Sequence, residues 1–203
     1  MRGNYMSHQE IEIEFKNILT FEEFTALCSS FQVHPEDFFS QENHYFDTEK
    51  FELKECGCAL RIRKKGNIYT LTLKQPANEG LLETHQSITE DEKAGMFDEG
   101  LGLIPGVIAD ILKDELGIEA SNIRYFGSLK TNRVEIPYKG GLLVLDESHY
   151  LQTSDFEMEY EVSNYQEGQQ FFYDLLREHH IPIRETKNKI ARFYDVKVCR
   201  LNE

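Results

Sequence analysis

Glu10-Ile11-Glu12-Ile13-Glu14-Phe15-Lys16 alternates polar and apolar residues without a break. At the two-residue period of a β-strand, Glu10, Glu12, Glu14 and Lys16 fall on one face and Ile11, Ile13 and Phe15 on the other. Such a strand suits a wet sheet edge. It equally suits the wall of a site that holds cations and an anion together. The rest of the chain decides between the two, beginning with Phe156-Glu157-Met158-Glu159-Tyr160-Glu161-Val162, which repeats the pattern near the other end.

Between these two stretches the chain reads as strands separated by helices. Thr20-Phe21-Glu22-Glu23 has the form of a capping box, and Phe24, Leu27, Cys28 and Phe31 follow at helical spacing. Strands are expected at His44 to Thr48, Ala59 to Lys64, Ile68 to Gln75 and Glu83 to Ile88, the middle two forming a hairpin around Lys65-Gly66-Asn67. Thr89-Glu90-Asp91-Glu92 opens a second capped helix, and Pro105 to Leu116 makes a third that Gly117 stops. Strands at Arg124 to Tyr138, Leu142 to His149 and Asp155 to Val162 follow, the first two joined at Lys139-Gly140-Gly141. Asn164 caps a helix carrying Phe171, Phe172, Leu175 and Leu176, and a last helix spans Lys187 to Val196. The class is α+β: about eight strands, enough for a closed antiparallel β-barrel with peripheral helices.

The bulk composition narrows the function. The 203 residues, with 14 Phe and 10 Tyr, can bury a β-rich core, and residues 6–203 read as one domain behind a disordered extension at 1–5. With 22 Lys and Arg against 36 Asp and Glu, the formal charge is −14, which argues against a general nucleic-acid or anionic-membrane binder. There is no apolar run of membrane-spanning length. Cys28, Cys56, Cys58 and Cys199 lack the spacing of a redox pair or zinc knuckle and read as thiols of a reducing cytoplasm. The seven histidines show no metal spacing, and Gly100-Leu101-Gly102 lacks the context of a phosphate loop.

The informative fact is that strand after strand carries charge at alternate positions. Leu60-Arg61-Ile62-Arg63 sets two guanidiniums opposite two apolar residues; Leu71-Thr72-Leu73-Lys74 pairs Thr72 with Lys74; Glu83 shares a face with His85; Arg133 lies mid-strand; Asp146 follows the apolar run 142–145. Any one of these strands reads as the wet side of a half-solvated sheet. Taken together they are sorted by sign, with carboxylates on two strands and Arg61, Arg63 and Lys74 on the hairpin. The guanidinium fork also matches phosphate oxygens. If the charged faces turn inward, Glu12, Glu14, Glu157 and Glu159 form an oxygen site for hard divalent cations such as Mg²⁺ or Mn²⁺. Lys16, Arg61, Arg63, Lys74 and Arg133 then surround a polyanion, since buried charges of both signs need partners or a ligand.

Glu12-Ile13-Glu14-Phe15-Lys16 resembles the ExExK signature of the CYTH superfamily, or triphosphate tunnel metalloenzymes. That family includes class IV adenylyl cyclases, thiamine triphosphatases, inorganic triphosphatases and fungal RNA triphosphatases. The resemblance extends in order through Tyr45-Phe46-Asp47-Thr48, Leu60 to Arg63, Leu71 to Lys74, Glu83, Arg133, Asp146, Glu157-Met158-Glu159 and Asn188-Lys189-Ile190-Ala191-Arg192. It implies an eight-stranded β-tunnel acting on a linear triphosphate with Mg²⁺ or Mn²⁺. By that analogy Lys16, Arg61, Arg63, Lys74, Arg133 and Lys189, with Lys187 as its rival, grip phosphoryl oxygens. Glu12, Glu14, Asp146, Glu157 and Glu159 hold metal, Glu83 and Arg192 support them, and Glu12, Glu14, Lys16 and Glu159 form the catalytic set. Thr131 stands where some members carry lysine, and Asp47 and Thr48 are expected to serve a turn or cap.

The expected function is hydrolysis of inorganic triphosphate or a small organic one, such as thiamine triphosphate or ATP. An adenylyl cyclase using the same grip and a non-catalytic nucleotide or polyphosphate binder are the alternatives. The physiological substrate, and whether the chain forms a homodimer, stay open.

Overall fold

A computed structural model describes residues 7–65, 68–97 and 101–201. Gly66 and Asn67 of the expected hairpin tip, Gly100 and the extension at 1–5 lie outside the described residues. Eight strands are present: β1 (Ser7–Leu19), β2 (Phe39–Thr48), β3 (Ala59–Lys65), β4 (Ile68–Pro76), β5 (Leu81–Ile88), β6 (Ile123–Tyr138), β7 (Gly141–Tyr150) and β8 (Thr153–Val162). They close into an antiparallel barrel in the order β1-β5-β4-β3-β2-β6-β7-β8. The helices are α1 (Phe21–Ser30), α2 (Glu52–Glu55), α3 (Glu90–Phe97), α4 (Val107–Leu116), α5 (Tyr165–Glu178) and α6 (Lys189–Leu201). Among the described residues none is long and apolar enough to cross a membrane.

Local chemistry explains the element ends. Thr20 Oγ1 accepts from Glu23 N at 3.2 Å while Glu23 Oε2 accepts from Thr20 N at 2.8 Å, and Thr89 with Glu92 repeats the device at α3. Asn164 Oδ1 accepts from Glu167 N at 3.1 Å to start α5. Gly117, at φ +68°, ends α4 in the left-handed region.

Several elements differ from the sequence expectation: β2 starts at Phe39 rather than His44, α4 at Val107 rather than Pro105, and the last helix runs on to Leu201. The α2 turn was not expected; it forms because Asp47 accepts from Thr48 N, Leu53 N and Lys54 N, and Thr48 Oγ1 from Glu52 N. Asp47 and Thr48 thus serve as the expected cap, for a helix too short to show a period. The last helix starts at Lys189 rather than Lys187, with Asn188 O accepting from Arg192 N.

The chain packs as two compact units, Met1–Ile11 with Glu42–Ser128, and Glu12–Gln41 with Leu129–Glu203. In the first, Leu60, Ile62, Leu71 and Leu73 are each at most 1% exposed and pack with Met96, Ile108, Ile111 and Leu112 of α3 and α4. In the second, Leu143, Leu145, Met158 and Tyr160 pack with Leu27 of α1 and Phe172, Leu175 and Leu176 of α5. The apolar face of each sheet segment is therefore the helix-covered one. By the period of two, Arg61 and Arg63, or Glu157 and Glu159, take the opposite face. Each buried aliphatic side chain contributes about 1.5–3 kcal/mol. That outer packing offsets a desolvation cost of several kcal/mol per ion on the charged face.

Candidate active site: a carboxylate cage and a basic hairpin

In the second unit, strand register builds an acidic cluster. Arg133 stands opposite Asp146, Asp146 opposite Glu157, and Lys16 opposite Glu159. Arg133 reaches across β7: Nε donates to Asp146 Oδ1 at 2.8 Å, and Nη2 to Asp146 Oδ2 at 2.6 Å and Glu159 Oε2 at 2.7 Å. The first residue of α6 closes the cluster. Lys189 Nζ lies 2.9 Å from Asp146 Oδ2, 2.5 Å from Glu157 Oε2 and 2.6 Å from Glu159 Oε1. One turn on, Arg192 donates to Asp155 from Nε at 2.8 Å and to Glu157 Oε2 from Nη2 at 3.0 Å. Asp155 also accepts from Tyr150 Oη at 2.6 Å. On β1, Lys16 donates to Glu14 Oε1 and, at 2.6 Å, to Asn188 Oδ1. Glu12 is half-buried on the same β1 face as Glu14.

Asp146 and Glu157 are fully buried. Burial alone would raise the Glu159 carboxyl, but Lys189, Arg133 and Lys16 hold it well below the usual carboxylate range. Burial would likewise depress the Lys189 ammonium, yet Asp146, Glu159 and Glu157 hold it well above its ordinary value.

The segment before α6 is strapped to β1. The Asn17 side chain, wholly buried, accepts from Arg184 N at 2.7 Å and donates to Pro182 O at 3.1 Å. Ile18 N donates to Thr186 Oγ1 at 2.9 Å, and Arg184 forks onto Glu23 at 2.8 Å from both Nη1 and Nη2.

In the first unit, the basic hairpin presents a second cluster. Lys74 stands opposite Glu83 and pairs with it, and Arg61 Nη2 lies 3.9 Å from Glu83 Oε2. Arg63 Nε donates to Asn43 Oδ1 at 2.8 Å. Arg61 Nε is buried and finds no acceptor among the described residues. His85 completes the group, with Nε2 3.1 Å from Glu10 Oε1 and 3.3 Å from Glu83 Oε2, and Nδ1 3.0 Å from Thr72 Oγ1. Burial pushes its imidazole below the ordinary value, against the pull of Glu83 and Glu10. His8, Glu10 and His85 bring one donor atom each within 4.8 Å of one another. Residues distant in sequence meet there, so no spacing could reveal the group.

The structure therefore gathers Glu14, Lys16, Arg133, Asp146, Glu157, Glu159, Lys189 and Arg192 in one unit, and Arg61, Lys74 and Glu83 in the other. It does not bring Lys187 to the carboxylates. That side chain is 65% exposed and pairs with Asp195 at 2.8 Å. The reason is helical: two residues ahead of Lys189, it precedes the first turn of α6. Sequence reading missed Asn43, Asp155, Asn188 and the Asn17–Arg184 strap, because polar residues that fasten backbone carry no periodic signal. Thr131 is fully buried and meets Ser148 Oγ at 3.4 Å, a neutral pair where some relatives of the resembling family carry a cation.

The carboxylates fit a hard divalent cation. Three of them, on two adjacent strands, already surround one ammonium with oxygen donors alone, the chemistry such ions require.

Known proteins share this architecture. A family model described as the CYTH domain matches residues 10–194. A Bacillus subtilis (strain 168) protein named "Putative triphosphatase YjbK" is 50% identical over 189 residues, covering 93% of this chain and 97% of the relative. A crystal structure described as a "putative adenylate cyclase" from Bacillus halodurans is 41% identical, with TM-score 0.85, covering 92% of this chain and 98% of that one. A Hippeastrum protein, whose description reads "Putative adenylyl cyclase" with "a dominant triphophatase activity", shares the fold at TM-score 0.71 and 24% identity, over 91% of this chain and 96% of that one.

Proposed function

The chain belongs to the CYTH family, and on that footing we propose that it hydrolyses inorganic triphosphate or a small organic triphosphate with a divalent metal ion, Mg²⁺ or Mn²⁺. One observation carries the reading: Asp146, Glu157 and Glu159, buried on the face of the sheet opposite its apolar packing, converge on a single cation. Buried carboxylates at such density are costly without a positive partner. The 50% identity to a protein named as a triphosphatase supports the choice of substrate class.

Glu14, Asp146, Glu157 and Glu159, with Glu12 beside Glu14, would hold the metal. A divalent ion there supplies charge neutralisation and a water of lowered pKa. The chain's own cations supply the rest. In the second unit Lys16, Arg133 and Lys189 bind non-bridging phosphoryl oxygens and take up charge as the loose transition state forms, and in the first unit Arg61, Arg63 and Lys74 offer cations of the same kind. Glu83 orients Lys74 and Arg61; Arg192 orients Glu157. No side chain is needed as a general base, because phosphoryl transfer depends on positioning and electrostatics. In this reading residues 6–203 act as one domain in the cytoplasm, in keeping with four free thiols.

The 41% identity to a structure described as an adenylate cyclase favours a second reading, in which the same grip releases pyrophosphate from ATP. A release assay with each metal against triphosphate, thiamine triphosphate and ATP separates the two. Orthophosphate from triphosphate is the expected product. Cyclic AMP with pyrophosphate would establish the cyclase instead, and tight binding without turnover would overturn both. Glu159→Gln should cut metal-dependent turnover by more than about 100-fold while the variant still melts cooperatively. Full activity in that variant would remove Glu159 from the metal set.

A further inference from the structure

We propose that Lys189 and a divalent metal ion are alternative occupants of one site, so that α6 is a latch that metal opens. The proposal rests on the metal role given above to Asp146, Glu157 and Glu159.

The ammonium sits where a cation of higher charge would bind. Its three partners come from three carboxylates, at 2.9, 2.5 and 2.6 Å, and their side chains are 0%, 0% and 9% exposed. These carboxylates already face three cationic side chains, Lys189, Arg133 and Arg192. A divalent ion entering the same oxygens would stand within a few ångströms of the ammonium, in surroundings that screen poorly, and the repulsion would be large. The two cannot share the cage, so one must leave.

The ammonium is the one built to move. Lys189 is the first residue of α6, and residues 181–188 ahead of it have no regular structure. That segment is fixed upstream, at Thr186 through Ile18 N and at Arg184 through Asn17 and Glu23. Withdrawal of Lys189 therefore works against the contacts of the short stretch after Thr186, where Lys187 O accepts from Arg192 Nη1 and Asn188 Oδ1 from Lys16 Nζ, each at 2.6 Å. One turn further on, Arg192 holds Asp155 as well as Glu157, so α6 stays tethered to β8 while Lys189 withdraws. A displaced ammonium is then available for a phosphoryl oxygen. Metal and triphosphate should consequently bind with positive coupling, each making the other's site ready.

A purely structural ion cluster would behave differently. Removing the lysine would cost stability and do nothing for metal affinity. Two measurements on substrate-free protein separate the cases. In a Mn²⁺ titration followed by electron paramagnetic resonance, Lys189→Met should bind the ion about tenfold or more tighter than the unaltered chain, in the range of ordinary allosteric couplings. In the unaltered chain, where no variant can misfold, saturating Mn²⁺ should speed amide hydrogen exchange in the first turn of α6, at 189–192. Equal or weaker Mn²⁺ binding by Lys189→Met, with α6 exchange unchanged, would overturn the latch. If Glu159→Gln then abolishes Mn²⁺ binding, the metal reading survives that loss. Absence of Mn²⁺ binding by both the unaltered chain and Lys189→Met would remove the metal reading and the latch together.

Discussion

Arg61 is a half-buried cation. Its guanidinium stands 3.9 Å from Glu83, and its Nε has no hydrogen-bond acceptor among the described residues. A buried donor left in that state costs about 1–3 kcal/mol, which a bound anionic oxygen would return. Arg61→Ala should therefore lower kcat/KM by about 1.5–3 kcal/mol, roughly 10–150-fold, with KM raised and kcat reduced. Unchanged steady-state constants would exclude Arg61 from the substrate's surroundings. At this scale the sequence was legible for faces and silent on partners. Alternation in Leu60-Arg61-Ile62-Arg63 tells which side chains share a side of the strand. That Arg133 grips Asp146 and Glu159 depends on the register of β6, β7 and β8, and a one-residue slip would reverse every face. Lys187 and Lys189 stayed rivals in sequence because both fall in the first turn of the expected helix, Lys187 to Val196.

Most elements could be read because their ends carry chemistry: capping boxes at Thr20 and Thr89, Asn164 before α5, Gly117 after α4. The segment 181–188 carries none, yet it sets where α6 begins. Its position depends on Asn17, a polar residue at an inconspicuous place near the end of β1. Asn17→Ala would remove the hydrogen bonds to Arg184 N and Pro182 O, both part-buried, at a cost of about 0.5–1.5 kcal/mol each. The expected result is a lowered Tm together with a loss of turnover greater than the loss of folded protein explains, since Lys189 follows directly on this strap. A variant that melts like the unaltered chain would show that the strap does not position α6.

For the whole molecule, the closed eight-stranded barrel and its helical cover were both legible, because charge and apolarity alternate on nearly every strand. The inversion of the usual order, with helices over the apolar faces, did not follow from alternation, which fits a wet face equally well; the family resemblance implied it. The strand order was a different matter: β1 lies between β5 and β8, and no local pattern announces a pairing between the first and last strands. Residues 13–19 bond to residues 156–162, far away along the chain, whereas β3 and β4 are sequence neighbours. The ring must close by joining its two extremes. A chain emerging from the ribosome makes β1 first and leaves it without β8 until nearly everything else has been synthesised. Refolding should accordingly be slow for a domain of this size, in the millisecond-to-second range of topologies dominated by non-local pairing. Pulse-labelled hydrogen exchange should find β3 and β4 amides protected early and those of residues 13–19 last; simultaneous protection would refute that order. Until then an alternating strand waits with an unpaired edge, and its closely spaced carboxylates at Glu10, Glu12 and Glu14 discourage pairing with a second copy of itself.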